Sequence, residues 1–311
     1  MPKIGVENPN FSGHETFCFR YGWLKKGIDA VNQDPFVFSR EDALVTLGVG
    51  KNMVRSIRYW CLATSIIEES SDRNKQKPAS VTPIGEFLFN DNGADPFLED
   101  PGTLWILHWL LARNEEMATT WYYAFSHWTM PEFTKEALIR SILQSLRENE
   151  LRAPAESSIR RDVDCFVRTY VPSRPSKDAP LEDSFDCPLA ELNLIVGSND
   201  NRTFYFNRGD HASVAPLILA YMIMDFWKPT KSDQSLTYEQ LAYSPGSPGR
   251  LLRLDDNSFS ARLYALEKAT NGVFIYSENS GLMQLYCKNP EIPASHFLRE
   301  YYALKGAELV S

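Results

Sequence analysis

The sequence is short of the features that usually place a protein quickly. Its five cysteines (Cys18, Cys61, Cys165, Cys187, Cys287) are scattered over 311 residues without a C-x-x-C pair. That argues against a disulfide framework or a zinc ribbon and for free thiols in a cytoplasmic protein. The five histidines form no H-E-x-x-H motif. No apolar run approaches the ~18 residues of a membrane helix, so no bilayer span is expected. The first residues also lack the apolar core of a signal peptide. Positive charge is not in excess: 32 Lys and Arg against 40 Asp and Glu leave a formal charge of -8. A surface that is basic throughout is excluded, whereas a local basic face is not, because phosphate contact depends on where the charges sit. A PD-(D/E)xK, HNH or GIY-YIG nuclease pattern and a repeat of fixed period are missing as well.

What is present is an ordinary globular composition, 43% hydrophobic and 23% charged, long enough for about two domains. Loop-forming stretches at Asp91–Gly102, Pro172–Pro188 and Ser244–Gly249 punctuate the chain. They divide it into residues 1–95, 96–188 and 189–311. The expected fold is mainly α with a minor β content: an N-terminal winged helix-turn-helix, a helical aromatic-rich middle and a C-terminal winged-helix-like module.

The winged-helix expectation rests on Ser39 to Phe89. Ser39 with Asp42 reads as a cap opening a helix whose buried stripe is Ala43, Leu44 and Leu47. Gly48-Val49-Gly50 then supplies a tight turn. A second helix starts at Lys51, with Val54, Ile57 and Cys61 on a core stripe and Lys51, Arg55 and Arg58 aligned on another face. Asn52 either reads an adenine edge or caps this helix. Ser65–Glu69 and Ser80–Thr82 form a hairpin whose tip offers Arg73, Lys75 and Lys77, and Pro83 opens a third helix. From Lys51 to Lys77 there are six cations and three acids. A cationic helix beside a cationic wing points to double-stranded DNA, with protein contact as the alternative use of the same fold.

Further along, Thr103–Trp128 is helical and aromatic, and reads as core or a homodimer face rather than a base-stacking platform. His108 and His127 on it read as packed residues. Ser157–Val171 is a helix on which Asp162 and Asp164 point roughly 200° apart, so they pair with neighbouring arginines rather than chelate one ion. Near the C-terminus, Ser213–Trp227, Leu236–Ala242 and Ser258–Thr270 are helices. The last has Phe259, Leu263 and Leu266 inward and Arg262 and Lys268 outward, and a hairpin follows at Val273–Tyr286.

The segment Phe11-Ser12-Gly13-His14-Glu15-Thr16-Phe17 is dense in functional side chains. His14 and Glu15 together suit acid–base work or a hydrated divalent ion, and Arg20, Lys25 and Lys26 suit a phosphate. Equally, His14 and Glu15 suit hydrogen bonds that fasten a loop onto the helix pair.

Three strings, Phe11–Phe17, Arg20–Gly27 and Leu47–Trp60, resemble a bacterial domain-of-unknown-function family found in phage-defence and DNA phosphorothioation gene clusters. Shorter matches at Thr82–Gly85 and Arg168–Pro172 extend the likeness over most of the chain. The resemblance implies a metal-dependent DNA nickase, using Mg2+ or Mn2+, that opens one strand for sulfur incorporation. It also implies partner proteins: a cysteine desulfurase, an ATP pyrophosphatase-like protein and an ATPase. A non-catalytic DNA-binding specificity subunit is the alternative, and a protein-binding scaffold a third. The resemblance supplies no motif for the nicking residues.

Overall fold

The computed structural model describes residues 4–70, 77–172, 187–200, 202–227, 235–279 and 281–310. Contacts divide the chain into two compact units, Met1–Asn207 and Arg208–Ser311. Both are largely helical with small antiparallel sheets. The boundary differs from the divisions at 95/96 and 188/189 because the strands just after residue 188 pair backward into the first unit.

The first unit begins with α1 (Trp23–Gln33), followed by a 3-10 turn at Val37–Ser39 and a short α2 (Ala43–Leu47). The turn to α3 (Lys51–Ala63) runs through Gly48, whose φ of 62° lies in the left-handed region that glycine reaches without a Cβ penalty. Ser39 is not the cap expected of it. Asp42 occupies that position, and its carboxylate pairs with Arg40 rather than with the helix backbone. The buried stripe of α2 is Ala43 and Leu47 only, since Leu44 is exposed and i, i+4 suffices for so short a helix. On α3 the stripe Val54, Ile57 and Cys61 is buried as the spacing predicts.

Strands β1 (Ile67–Glu69) and β2 (Ala79–Val81) then pair antiparallel. The Pro35 carbonyl accepts a bond from Ala79 N–H on the outer edge of β2. α4 (Pro83–Phe89) starts at Pro83, with the Thr82 hydroxyl accepting from Gly85 N–H.

The aromatic stretch is two helices, α5 (Pro101–Arg113) and α6 (Thr119–Ser126), separated at Asn114–Ala118. Trp105, Trp109, Trp121, Tyr123 and Phe125 are buried, which makes this the core of the unit. His108 is buried and hydrogen-bonded to the Tyr170 hydroxyl at 2.8 Å, a packed residue as its apolar setting implies.

The next elements are β3 (Glu132–Thr134), α7 (Lys135–Glu148), α8 (Glu156–Tyr170), β4 (Ile195–Gly197) and β5 (Thr203–Phe206). The sheet order is β3-β5-β4, antiparallel throughout.

The second unit contains α9 (Pro216–Phe226), β6 (Ser235–Thr237), α10 (Tyr238–Tyr243), α11 (Pro248–Leu252), α12 (Asp256–Ala269), β7 (Phe274–Asn279), β8 (Leu282–Cys287) and α13 (Ser295–Val310). Its sheet order is β6-β8-β7. Leu236 therefore belongs to a strand, not to the helix expected at Leu236–Ala242, and Thr237 caps α10 with a reciprocal Gln240 bond.

One topology recurs. Helix, strand, two helices and a strand pair, with the first strand beside the last, describes α6 to β5 and, with α11 inserted, α9 to β8. In α1 to β2 the single Pro35–Ala79 bond stands where the first strand would be.

Candidate nucleic-acid interface

The outward face of α3 is set by its inward one. With Val54, Ile57, Trp60 and Cys61 buried, Lys51, Asn52 and Arg55 are left exposed at the start of the helix. Gly50 caps the helix with no side-chain bond, so Asn52 is not a cap and its amide remains outward. Lys77, two residues before β2, lines a groove of about 280 Å³ together with Arg55, Arg58, Glu69, Phe38 and Ser39. Arg73 and Lys75 lie outside the described residues.

The two arginines of this face differ. Arg55 is 55% exposed and meets Glu15 at 3.3 Å. Arg58 donates two bonds to the Glu69 carboxylate on β1. It is fastened to the hairpin, and Glu69 is the groove residue that the sequence reading missed. The signal was available: an acid at the first strand of the hairpin, next to a helix carrying a row of cations.

The segment 11–17 lies between α3 and α8. His14 is fully buried, with the rings of Tyr59, Trp60 and Trp121 around it at centroid distances of 5.7, 6.4 and 6.0 Å. Its Nδ1 accepts from Thr16 N–H at 3.0 Å, which leaves the proton on Nε2 to donate to Asp162 Oδ1 at 2.9 Å. His14, expected as a catalytic residue, is placed by this geometry inside the joint between the segment and α8. Both ring nitrogens are engaged and the ring is fully buried, so the imidazole faces Asp162 and the Thr16 amide rather than the surface. Ser12 strengthens the same joint, its N–H donating to Asp162 Oδ1 at 2.7 Å and its hydroxyl to the Ser158 carbonyl at 2.7 Å.

Ser12, Glu15 and Thr16 all have positive φ, at 65°, 50° and 68°. A left-handed backbone at non-glycine residues is held only where tertiary contacts over-determine it. Here they turn Glu15 outward, partly exposed, toward Arg55. Gly13 is required: a Cβ there would lie 2.6 Å from the Tyr59 ring. The Asp162 and Asp164 carboxylates do part company around α8, but their partners are His14 and Lys135, not the neighbouring arginines. The arginines of α8 bond elsewhere: Arg160 to Glu156, and Arg168 to the Thr16 carbonyl at 2.5 Å.

The remaining cations expected to hold a phosphate have internal roles. Lys25 is only 12% exposed on its side chain and bridges Asp29 and Asp91 at 2.5 and 2.7 Å. Despite the cost of burial, bonds to those two carboxylates hold its ammonium above the usual range. Lys26 donates to the Leu47 carbonyl at 3.0 Å, closing the C-terminal end of α2. Arg20 lies over the Phe17 and Trp23 rings at 5.9 and 5.4 Å.

Among the described residues, no group of three or more His, Cys, Asp or Glu side chains is arranged to hold a metal ion. Nor is any helix long and apolar enough to cross a membrane.

A family described only as proteins of unknown function, DUF4007, matches residues 11–302. Two solved structures superpose over 94% of this chain and 88% of theirs. The SspB crystal structure does so at a TM-score of 0.84 and 33% identity, and magnesium ion-bound SspB at 0.83 and 32%. No curated protein matches.

Proposed function

This chain belongs to the DUF4007 family, and from that premise we propose that it is a double-stranded-DNA-binding component of a DNA phosphorothioation and phage-defence system. It works there beside the sulfur-handling enzymes, a cysteine desulfurase, an ATP pyrophosphatase-like protein and an ATPase. The likeness to SspB over nearly the whole chain supports this context. In this reading the α1–β2 region is a winged helix-turn-helix: α3 enters the major groove and the β1–β2 hairpin follows the backbone. The α9–β8 region is a winged-helix-like module with a structural part.

The observation that carries the reading is the exposed row Lys51, Asn52, Arg55 and Lys77. These are the first outward residues of the helix and a residue of the connection that leads into β2. Lys51 and Lys77 contact phosphate, which positions without specifying, whereas Asn52 and Arg55 have the donor and acceptor geometry to read bases. Glu15 faces Arg55 as a phosphate would, so DNA competes with an internal carboxylate for that guanidinium. The test is a gel shift over a salt series. Affinity falling steeply with salt, and a shallower slope in Lys51→Glu, supports DNA contact; an unchanged slope leaves a protein-binding scaffold.

A second reading, metal-dependent nicking of one strand, is favoured by the magnesium ion-bound relative. The described residues do not build a cage for Mg2+ or Mn2+. Such an ion normally takes one or two carboxylates and completes its shell with water and phosphate oxygens. Glu15 and Glu69 are carboxylates beside the proposed DNA face, but each is paired with an arginine, Arg55 and Arg58, and the two do not make a ligand set. Supercoiled plasmid incubated with Mg2+, Mn2+ or chelator separates the readings. Metal-dependent open circles that vanish in Glu15→Ala make the protein a nickase. Intact supercoils with a salt-sensitive shift make it the specificity subunit.

A further inference from the structure

The joint between the N-terminal segment and α8 contains a second pair of side chains that DNA binding does not use. Cys18 follows the segment directly and Cys165 lies one turn beyond Asp162 on α8, with their sulfurs 3.8 Å apart. Both are free thiols, Cys18 half-buried and Cys165 buried. Cys18 Sγ points at the Cys165 carbonyl at 3.6 Å, and Cys165 Sγ at the Phe17 carbonyl at 3.5 Å, so each thiol is aimed across the joint. Sulfurs in a disulfide sit about 2.05 Å apart, a distance a small rotation of two side chains in van der Waals contact can close.

The two sites differ in the way a reactive and a resolving thiol differ. A hydrogen bond from Cys165 lowers the Cys18 thiol against the opposing effect of burial, helped by the Arg168 guanidinium, the Thr169 hydroxyl and the Arg20 guanidinium, whereas burial first and Cys18 second push Cys165 up. Arg168 is held in place by its bond to the Thr16 carbonyl. A thiolate-prone, accessible cysteine beside a second thiol is the arrangement that peroxide oxidises selectively.

We propose that Cys18 and Cys165 form a peroxide-responsive dithiol whose disulfide fastens the N-terminal segment onto α8. The Cys18 thiolate attacks one oxygen of hydrogen peroxide. The O–O bond breaks, and the departing hydroxide takes up the proton the thiol had released. Cys165 sulfur then attacks the resulting Cys18 sulfenic acid. The S–O bond breaks, and hydroxide leaves with the Cys165 proton as water. In sum, two thiols are oxidised to one disulfide while one peroxide is reduced to two waters. A small-molecule thiol of the glutathione class reverses it by exchange.

The test uses the full reduced chain treated with graded hydrogen peroxide, alkylated with iodoacetamide and mapped by mass spectrometry without reduction. The expected product is a Cys18–Cys165 cross-link, reversed by dithiothreitol, with Cys61, Cys187 and Cys287 alkylated only after unfolding. In the reduced protein Cys18 should react with iodoacetamide about tenfold faster than Cys165. Cys165→Ser should stop at a dimedone-reactive Cys18, and Cys18→Ser should give neither the cross-link nor a dimedone adduct at Cys165. A cross-link joining other cysteines, or dimedone labelling Cys165 before Cys18, would overturn the proposal. So would peroxide leaving both thiols of the native chain unmodified, a result that needs no variant to fold.

Discussion

Helices α3 and α12 hold the same place in their successions, each following a shorter helix and preceding an antiparallel strand pair, yet they dispose of their cations differently. On α3, Lys51 and Arg55 are exposed, and among the described residues Arg55 pairs with the partly exposed Glu15. On α12, Arg262 is 13% exposed, pairs with Asp210 at 2.6 Å and donates to the carbonyls of His211 and Ser258. The outward Arg262 expected from helical spacing is therefore turned inward. Periodicity places the Cα on the outer side of the helix, but the long side chain folds back to satisfy loop carbonyls that water would otherwise have to serve. A shared topology thus does not imply a shared surface. What separates Arg55 from Arg262 is whether the residues around each offer the guanidinium carbonyl acceptors.

The contrast can be broken at several points. The largest effect is expected at the joint that gives the first unit its extra anchor. His14→Ala leaves the buried Asp162 carboxylate without its side-chain partner and should cost about 3–5 kcal/mol, read as a lower urea midpoint. Next, reversing Lys51, Arg55 and Lys77 to Glu should weaken DNA binding about a hundredfold at low salt and reduce the salt slope by about three. Lys268→Glu on α12 should leave both unchanged; an equal loss there would erase the distinction between the helices. Gly13→Ala drives a methyl group against the Tyr59 ring and should cost about 1–3 kcal/mol. The matched caps Thr82→Ala and Thr237→Ala should each cost about 1 kcal/mol, since each hydroxyl accepts one helix N–H.

The smallest effect is a pH dependence confined to the second unit. Bonds from Tyr243 and then Tyr238, together with the Arg208 guanidinium, hold the Asp256 carboxyl below the usual range. A carboxyl depressed in the folded state adds stability above its unfolded value, and that stability is lost as pH falls through the folded one. Asp256→Asn should therefore narrow the gap in stability between neutral and acid solution, as measured by thermal unfolding at the two pH values. Because Asp256 is half exposed, the change should be slight.

Legibility in the sequence followed the locality of the cause. The core stripes of α3 and α12, the glycine turn and the proline-led helix α4 depend on residues within one or two turns, and spacing alone reveals them. The helix–strand–helix–helix–hairpin succession from α6 to β5 was not legible. Its strands have three or four residues each, and the last two are separated from α8 by the Pro172–Pro188 stretch, which reads as a boundary. The same locality decided the site. That Lys51 and Arg55 share a face is a property of one helix. That His14 is sealed against Asp162, or that Arg58 is tied to Glu69, depends on contacts between elements, which composition does not record.

The bond between His14 and Asp162 spans 148 residues of chain, and that separation bears on synthesis at the ribosome. Translation is vectorial, and the N-terminal parts of a chain fold first. When α3 emerges and packs, α8 has not yet been made, so the segment carrying Glu15 has Tyr59 and Trp60 of α3 to rest on but not the Asp162 carboxylate. For as long as the following hundred residues take to appear, the segment that carries Glu15 is held from the α3 side alone. Completion of α8 closes the joint, and the outward face that carries Glu15 and Arg55 is finished by residues translated long after it.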